Sequence, residues 1–173
     1  MNPASTSAAQ DAPVAIESLC RRLGDALLAR GLMLATAESC TGGRIAGACT
    51  DLAGSSQWFE RGFVTYSNLA KSEQLGVDPA LIEREGAVSE AVARAMAEGA
   101  LAHSAARVAV AVTGIAGPTG GSPEKPVGTV WFGWRVDGHT SAQRQRFDGD
   151  RAAVREQTVR HALRGLLDRI PPL

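Results

Sequence analysis

Short apolar runs alternate with helix-period stripes along most of the 173 residues, and that alternation constrains the fold more tightly than anything else in the chain. From Val14 to Arg30, Ile16, Leu19, Leu23 and Leu27 fall on one helical face. Leu32 to Ala37 is a short apolar strand, and Thr41 to Leu52 a helix opened by Thr-Gly-Gly. Gly62 to Ser67 reads as a strand and Asn68 to Leu75 as a short helix. Asp78-Pro79 starts another helix, with Asp as cap and Pro at the first position. Ser89 caps a longer helix running through Met96 to His103. Arg107 to Thr113 is a strand, and Val127 to Val136, apolar on both faces, is a buried one. Asp137-Gly138 marks a hairpin turn, with Ser141 to Phe147 returning. Gly149-Asp150-Arg151 opens a last helix carrying Val159, Leu163, Leu166 and Ile170 on one face. This order predicts an α/β fold, a three-layer α/β/α sandwich with a mixed, mostly parallel sheet. No repeat or linker divides it, so residues 14–173 are expected to form one domain behind a disordered tail at 1–13, which is rich in Ala, Ser and Thr.

Composition narrows the function by exclusion. Lys+Arg and Asp+Glu are both 18, so no net field favours nucleic acid or an anionic membrane. No apolar run approaches the roughly 20 residues of a membrane helix. The first residues lack the basic and apolar regions of a secretory signal. Three cysteines (Cys20, Cys40, Cys49), odd in number and without CxxC spacing, fit reduced thiols in the cytoplasm. His103, His139 and His161 show no metal-ligand spacing.

Candidate chemistry is concentrated between Glu38 and Lys71. Glu38-Ser39-Cys40-Thr41-Gly42-Gly43 lies where a strand turns into a helix, and small residues there let backbone N–H groups approach an anion. A capped turn, with Glu38 making local hydrogen bonds, explains the segment equally well. Gly114 to Ser122, with four glycines and a proline, also follows a strand, and ligands of open α/β sheets gather at the carboxyl ends of strands. Ser56, Tyr66 and Lys71 form a set able to run nucleophilic chemistry without histidine, cysteine or metal. Ser56 Oγ would attack a carbonyl carbon, and Lys71, or Tyr66 poised by Lys71, would take the proton. Cys40 is the weaker nucleophile, with no histidine nearby in sequence and the profile of an inert buried thiol.

Several blocks in order carry a family resemblance. They are Ala37-Glu38-Ser39-Cys40-Thr41-Gly42-Gly43, Gly54-Ser55-Ser56, Tyr66-Ser67-Asn68 with Lys71, Gly86-Ala87-Val88-Ser89, Thr113-Gly114-Ile115-Ala116-Gly117-Pro118 and Lys125-Pro126-Val127-Gly128-Thr129-Val130. Together they resemble the CinA C-terminal domain family from about Val14 to Ile170. The amino-terminal molybdopterin-binding-like domain of full-length members is not in the sequence, so a stand-alone form is expected. The resemblance implies hydrolysis of the carboxamide of nicotinamide mononucleotide (NMN), a small-molecule substrate, to nicotinate mononucleotide and ammonia. It implies no metal or organic cofactor. It puts the family's catalytic serine, tyrosine and lysine on Ser56, Tyr66 and Lys71, and its supporting threonine and arginine on Thr113 and Arg151, with Arg155 one helical turn on. Glu38, Ser39, Thr41, Gly42, Gly114 and Gly117 are then expected to shape and bind. A homodimer or other homo-oligomer is expected of a small enzyme of this kind. The alternative is a non-catalytic nucleotide- or partner-binding module, linked to competence or DNA repair.

Overall fold

The computed structural model describes residues 14–171; the expected tail at 1–13 lies outside them. In chain order the elements are α1 (Ile16–Leu28), β1 (Leu34–Glu38), α2 (Arg44–Thr50), a single 3-10 turn (Ser55–Gln57), β2 (Phe59–Val64), α3 (Asn68–Leu75), α4 (Pro79–Glu85), α5 (Glu90–Ala102), β3 (Val108–Gly114), β4 (Thr129–Val136), β5 (His139–Arg146) and α6 (Arg151–Arg169). Among them no helix is long and apolar enough to cross a membrane. The expected caps form: Asp78 accepts from Ala80 N at the start of α4, and Ser89 Oγ accepts from Val92 N at the start of α5.

The strands assemble in the order β2-β1-β3-β4-β5. β1 pairs parallel with both β2 and β3, β4 is antiparallel to β3, and β5 is antiparallel to β4. Only β4 therefore runs against the other strands. The carboxyl ends of β1, β2 and β3 lie together on one edge of the sheet.

Side-chain alternation splits the core into two layers of different character. Val108, Val110, Val112, Phe132 and Trp134 face Leu19, Leu23 and Leu27 of α1 and Leu163 and Leu166 of α6. The other face is built from Ala35, Ala37, Ala109 and Ala111 against Met96, Ala97 and Ala100 of α5. Small residues on both sides let α5 lie close to the sheet. At Gly133 of β4 the approach is close: an added Cβ would sit 2.3 Å from the Ala93 carbonyl oxygen. Backbone cannot yield as a side-chain tip can, so any larger residue lifts α5.

Several boundaries differ from the sequence reading, most at α2 and β2. α2 begins at Arg44 rather than Thr41, because Gly42 (φ 59°) and Gly43 (φ 96°) hold the chain in a left-handed turn first. β2 starts at Phe59, three residues before the predicted Gly62, with Phe59 aligned on Leu34 of β1. Gly133→Ala is expected to cost about 1–3 kcal/mol through displacement of α5. That cost should lower the thermal midpoint by several degrees for a domain of this size; an unchanged midpoint in a thermal melt would contradict the packing.

Candidate active site

Parallel pairing decides which residues meet. Ser39 directly follows β1, Thr65 and Tyr66 follow β2, and Thr113 and Gly114 end β3, so all share the carboxyl edge of the sheet. The Thr65 N–H donates to Glu38 O at 2.8 Å and the Ser39 N–H to Val112 O at 3.1 Å, locking the three strand ends together. There a cavity of ≈ 220 Å³ is lined by Ser39, Cys40, Asn68, Lys71, Thr113 and Arg151 among others. A roomier groove of ≈ 780 Å³ lies beside α1 and α2, with Asp25, Asp51 and Trp58 in its wall. It contains no nucleophile beside a base, so chemistry rather than volume places the site.

Lys71 is the unusual side chain here. It is only 1% exposed, and its Nζ donates to Ser39 Oγ at 3.1 Å and to the Thr65 carbonyl oxygen at 3.0 Å. No carboxylate pairs with it among the described residues. Burial pushes its pKa below the ordinary lysine value, and the opposing influence is a Cys40 thiolate. That thiolate is absent near neutrality, because burial pushes the Cys40 thiol up to about 12. Lys71 is therefore a desolvated amine able to accept a proton from a serine hydroxyl.

The serine beside this lysine is Ser39, not the Ser56 that the sequence pointed to. Ser56 is exposed in the turn before β2, beside Trp58, whose carbonyl accepts from Leu34 N at the start of β1. Tyr66 lies past the far end of β2, six residues long, or roughly 20 Å away. The structure thus separates Ser56 from Tyr66 and Lys71 and brings Ser39 to Lys71 instead.

Other placements also change. Glu38, expected to support substrate, is wholly buried and turned toward α2: its Oε2 accepts from Thr41 Oγ1 (2.6 Å), Gly43 N (3.1 Å) and Ile45 N (3.0 Å), and its Oε1 from Ala46 N (2.8 Å). It fills the helix N-terminus that the sequence offered to an anion. Thr41 and Gly42 belong to this turn and do not line the cavity. Thr113 and Gly114 do line it, and Thr113 Oγ1 donates to Ala87 O at 2.8 Å, fastening the loop before α5 to β3. Arg151 reaches across the mouth, donating from Nη1 to Gly117 O (3.0 Å) and from Nη2 to Tyr66 Oη (2.8 Å). Gly117 enters only through that carbonyl, and Tyr66 stays 58% exposed. Arg155 grips the Ser39 turn from α6, donating to Cys40 O (3.1 Å) and Thr41 O (3.0 Å). Asn68, Ala87, Val88 and Ala116 also line the cavity; no catalytic signature attaches to such residue types, although Asn68 stands in the Tyr-Ser-Asn block already noted.

The comparisons match this architecture to known proteins. The profile described as "CinA C-terminal domain" covers residues 16–170. The chain belongs to the CinA C-terminal domain family. Its similar relatives include a nicotinamide-nucleotide amidohydrolase PncC of Pseudomonas putida, 57% identical over 152 residues, covering 88% of this chain and 95% of that protein. The PncC of Escherichia coli K12 is 54% identical over 149 residues, covering 86% and 90%. Among solved structures, the competence/damage inducible protein CihA of Agrobacterium tumefaciens aligns with a TM-score of 0.86 at 51% identity, covering 88% and 94%.

The buried amine of this CinA-family domain has a stability signature. With its folded pKa below the roughly 10.4 of an unfolded chain, the unfolded state binds more protons between the two values. Lys71 therefore costs stability below its folded pKa, and that cost is relieved as pH rises toward 10.4. Urea titrations at stepped pH should show wild type gaining on Lys71→Met through that window; a pH-independent difference would mean that Lys71 is not depressed.

Proposed function

We propose that this protein is a nicotinamide-nucleotide amidohydrolase that converts NMN to nicotinate mononucleotide and ammonia, with Ser39 as nucleophile and Lys71 as general base. The observation that carries the catalytic assignment is the 3.1 Å contact between Lys71 Nζ and Ser39 Oγ inside a cavity at the strand ends. The substrate class is supported by the relatives named PncC, matched over nine-tenths or more of their length.

Neutral Lys71 takes the Ser39 hydroxyl proton as Oγ bonds to the carboxamide carbon. The ammonium formed then protonates the amide nitrogen, the C–N bond breaks, ammonia leaves and an ester on Ser39 remains. Water enters, gives a proton to Lys71 and attacks the ester; Ser39 Oγ recovers that proton as the carboxylic acid departs and loses its own proton to solvent or to the released ammonia. Tyr66 is not the base on this reading, because its hydroxyl is engaged by Arg151 and makes no hydrogen bond to Ser39 among the described residues. It flanks the mouth, where its ring can face the substrate's pyridinium. Arg151, in the cavity wall, supplies a positive group for the nucleotide phosphate.

A non-catalytic module needs no lysine stripped of water beside a serine, and the cost of burying it is explained by base chemistry. Ser39→Ala should lower ammonia release from NMN by at least about 10⁴-fold, while Ser56→Ala stays within a few-fold of wild type. The reverse ranking in a coupled ammonia assay would overturn the assignment.

A further inference from the structure

The turn that carries Ser39 has its polar groups divided between two charged side chains. Glu38 accepts from the Thr41 hydroxyl and from the Gly43, Ile45 and Ala46 N–H groups, while Arg155 donates to the Cys40 and Thr41 carbonyls. Between them, the Gly42 N–H donates to Ser39 O at 3.0 Å. A trans peptide unit points its carbonyl and its N–H in opposite directions. The Ser39–Cys40 unit, with its carbonyl drawn into the turn, therefore directs the Cys40 N–H outward. That N–H meets no acceptor outside its own residue among the described residues, and Cys40 lines the cavity beside Ser39. The Thr41 N–H also lacks an acceptor there, but Thr41 does not line the cavity.

We propose that the Cys40 main-chain N–H holds the acyl oxygen of the substrate, and that Glu38 is the positioning residue that aims it by locking the turn onto α2. This rests on Ser39 being the nucleophile. As charge moves onto the acyl oxygen in the tetrahedral intermediate, a fixed N–H at this point stabilises it more than it stabilises the ground state. Glu38 touches neither substrate nor Lys71. It acts through the turn.

Glu38→Gln tests the positioning role. Its single amide oxygen can serve three of the four donors, leaving the NH₂ facing the Ala46 N–H, so the first turn of α2 must shift. The expected result is a fall in kcat of about 10–100-fold, short of the 10²–10³-fold typical of losing such a donor outright, with KM nearly unchanged. The acid limb of the kcat profile should stay in place, because the lowering of Lys71 comes from burial. Glu38→Asp, which keeps the charge but loses reach, should not rescue. Normal kcat in Glu38→Gln, or a fall matched by a moved acid limb, overturns the positioning role.

A second measurement uses wild type and needs no variant to fold. 3-Pyridineboronic acid forms a tetrahedral adduct with a nucleophilic serine, placing a boronate oxygen where the acyl oxygen would sit. In ¹⁵N-resolved spectra the Cys40 amide proton should move downfield on adduct formation while that of Gly42 holds. An adduct on Ser39 without the Cys40 shift overturns the donor assignment alone. An adduct on another residue overturns the Ser39 reading and the donor with it.

Discussion

The burial of Lys71 beside Ser39 is the interaction on which the rest of this molecule depends. An ammonium that is 1% exposed, with only a hydroxyl and a carbonyl as partners, is far costlier than the neutral amine in the same place. Burial therefore pushes the Lys71 pKa down and favours the neutral amine, with no histidine or carboxylate paired to it among the described residues. The neighbouring thiol follows the same rule in the opposite direction: burial holds Cys40 protonated, and an uncharged Cys40 cannot draw the proton back onto the lysine.

Two architectural choices keep that pair together. Parallel β1, β2 and β3 bring the Ser39 turn, the Tyr66 segment and Thr113 to one edge. The alanine-rich face of the sheet lets α5 pack close, and the loop at its amino end, tied by Thr113 to β3, forms one wall of the cavity. The acid at the end of β1 and the arginine on α6 then hold the Ser39 turn from two sides.

Much of this was legible in the sequence. Alternation of apolar runs and amphipathic stripes predicts the three layers, the caps at Asp78 and Ser89 fall where they were expected, and Lys71, Thr113, Gly114 and Arg151 all line the cavity. What sequence could not resolve was which serine meets the lysine. Ser56 lies 15 residues from Lys71 along the chain and Ser39 lies 32, so chain proximity favours Ser56 while the fold brings Ser39. A β-strand reverses that ranking: β2 carries the chain away from Ser56, and the crossover through α2 returns the end of β2 to the end of β1. Glu38 illustrates a second limit. A carboxylate next to a glycine turn reads equally as a ligand-binding group or as a local cap, and only the four donors converging on it decide for the cap.

The central claim, that the acyl group passes through Ser39, is open to direct observation. Enzyme turning over NMN can be acid-quenched, digested after arginine and examined by mass spectrometry. The two serines separate cleanly, Ser39 in Gly31–Arg44 and Ser56 in Ile45–Arg61. The account predicts the nicotinoyl-nucleotide ester on the first peptide; the same mass increment on the second would contradict it.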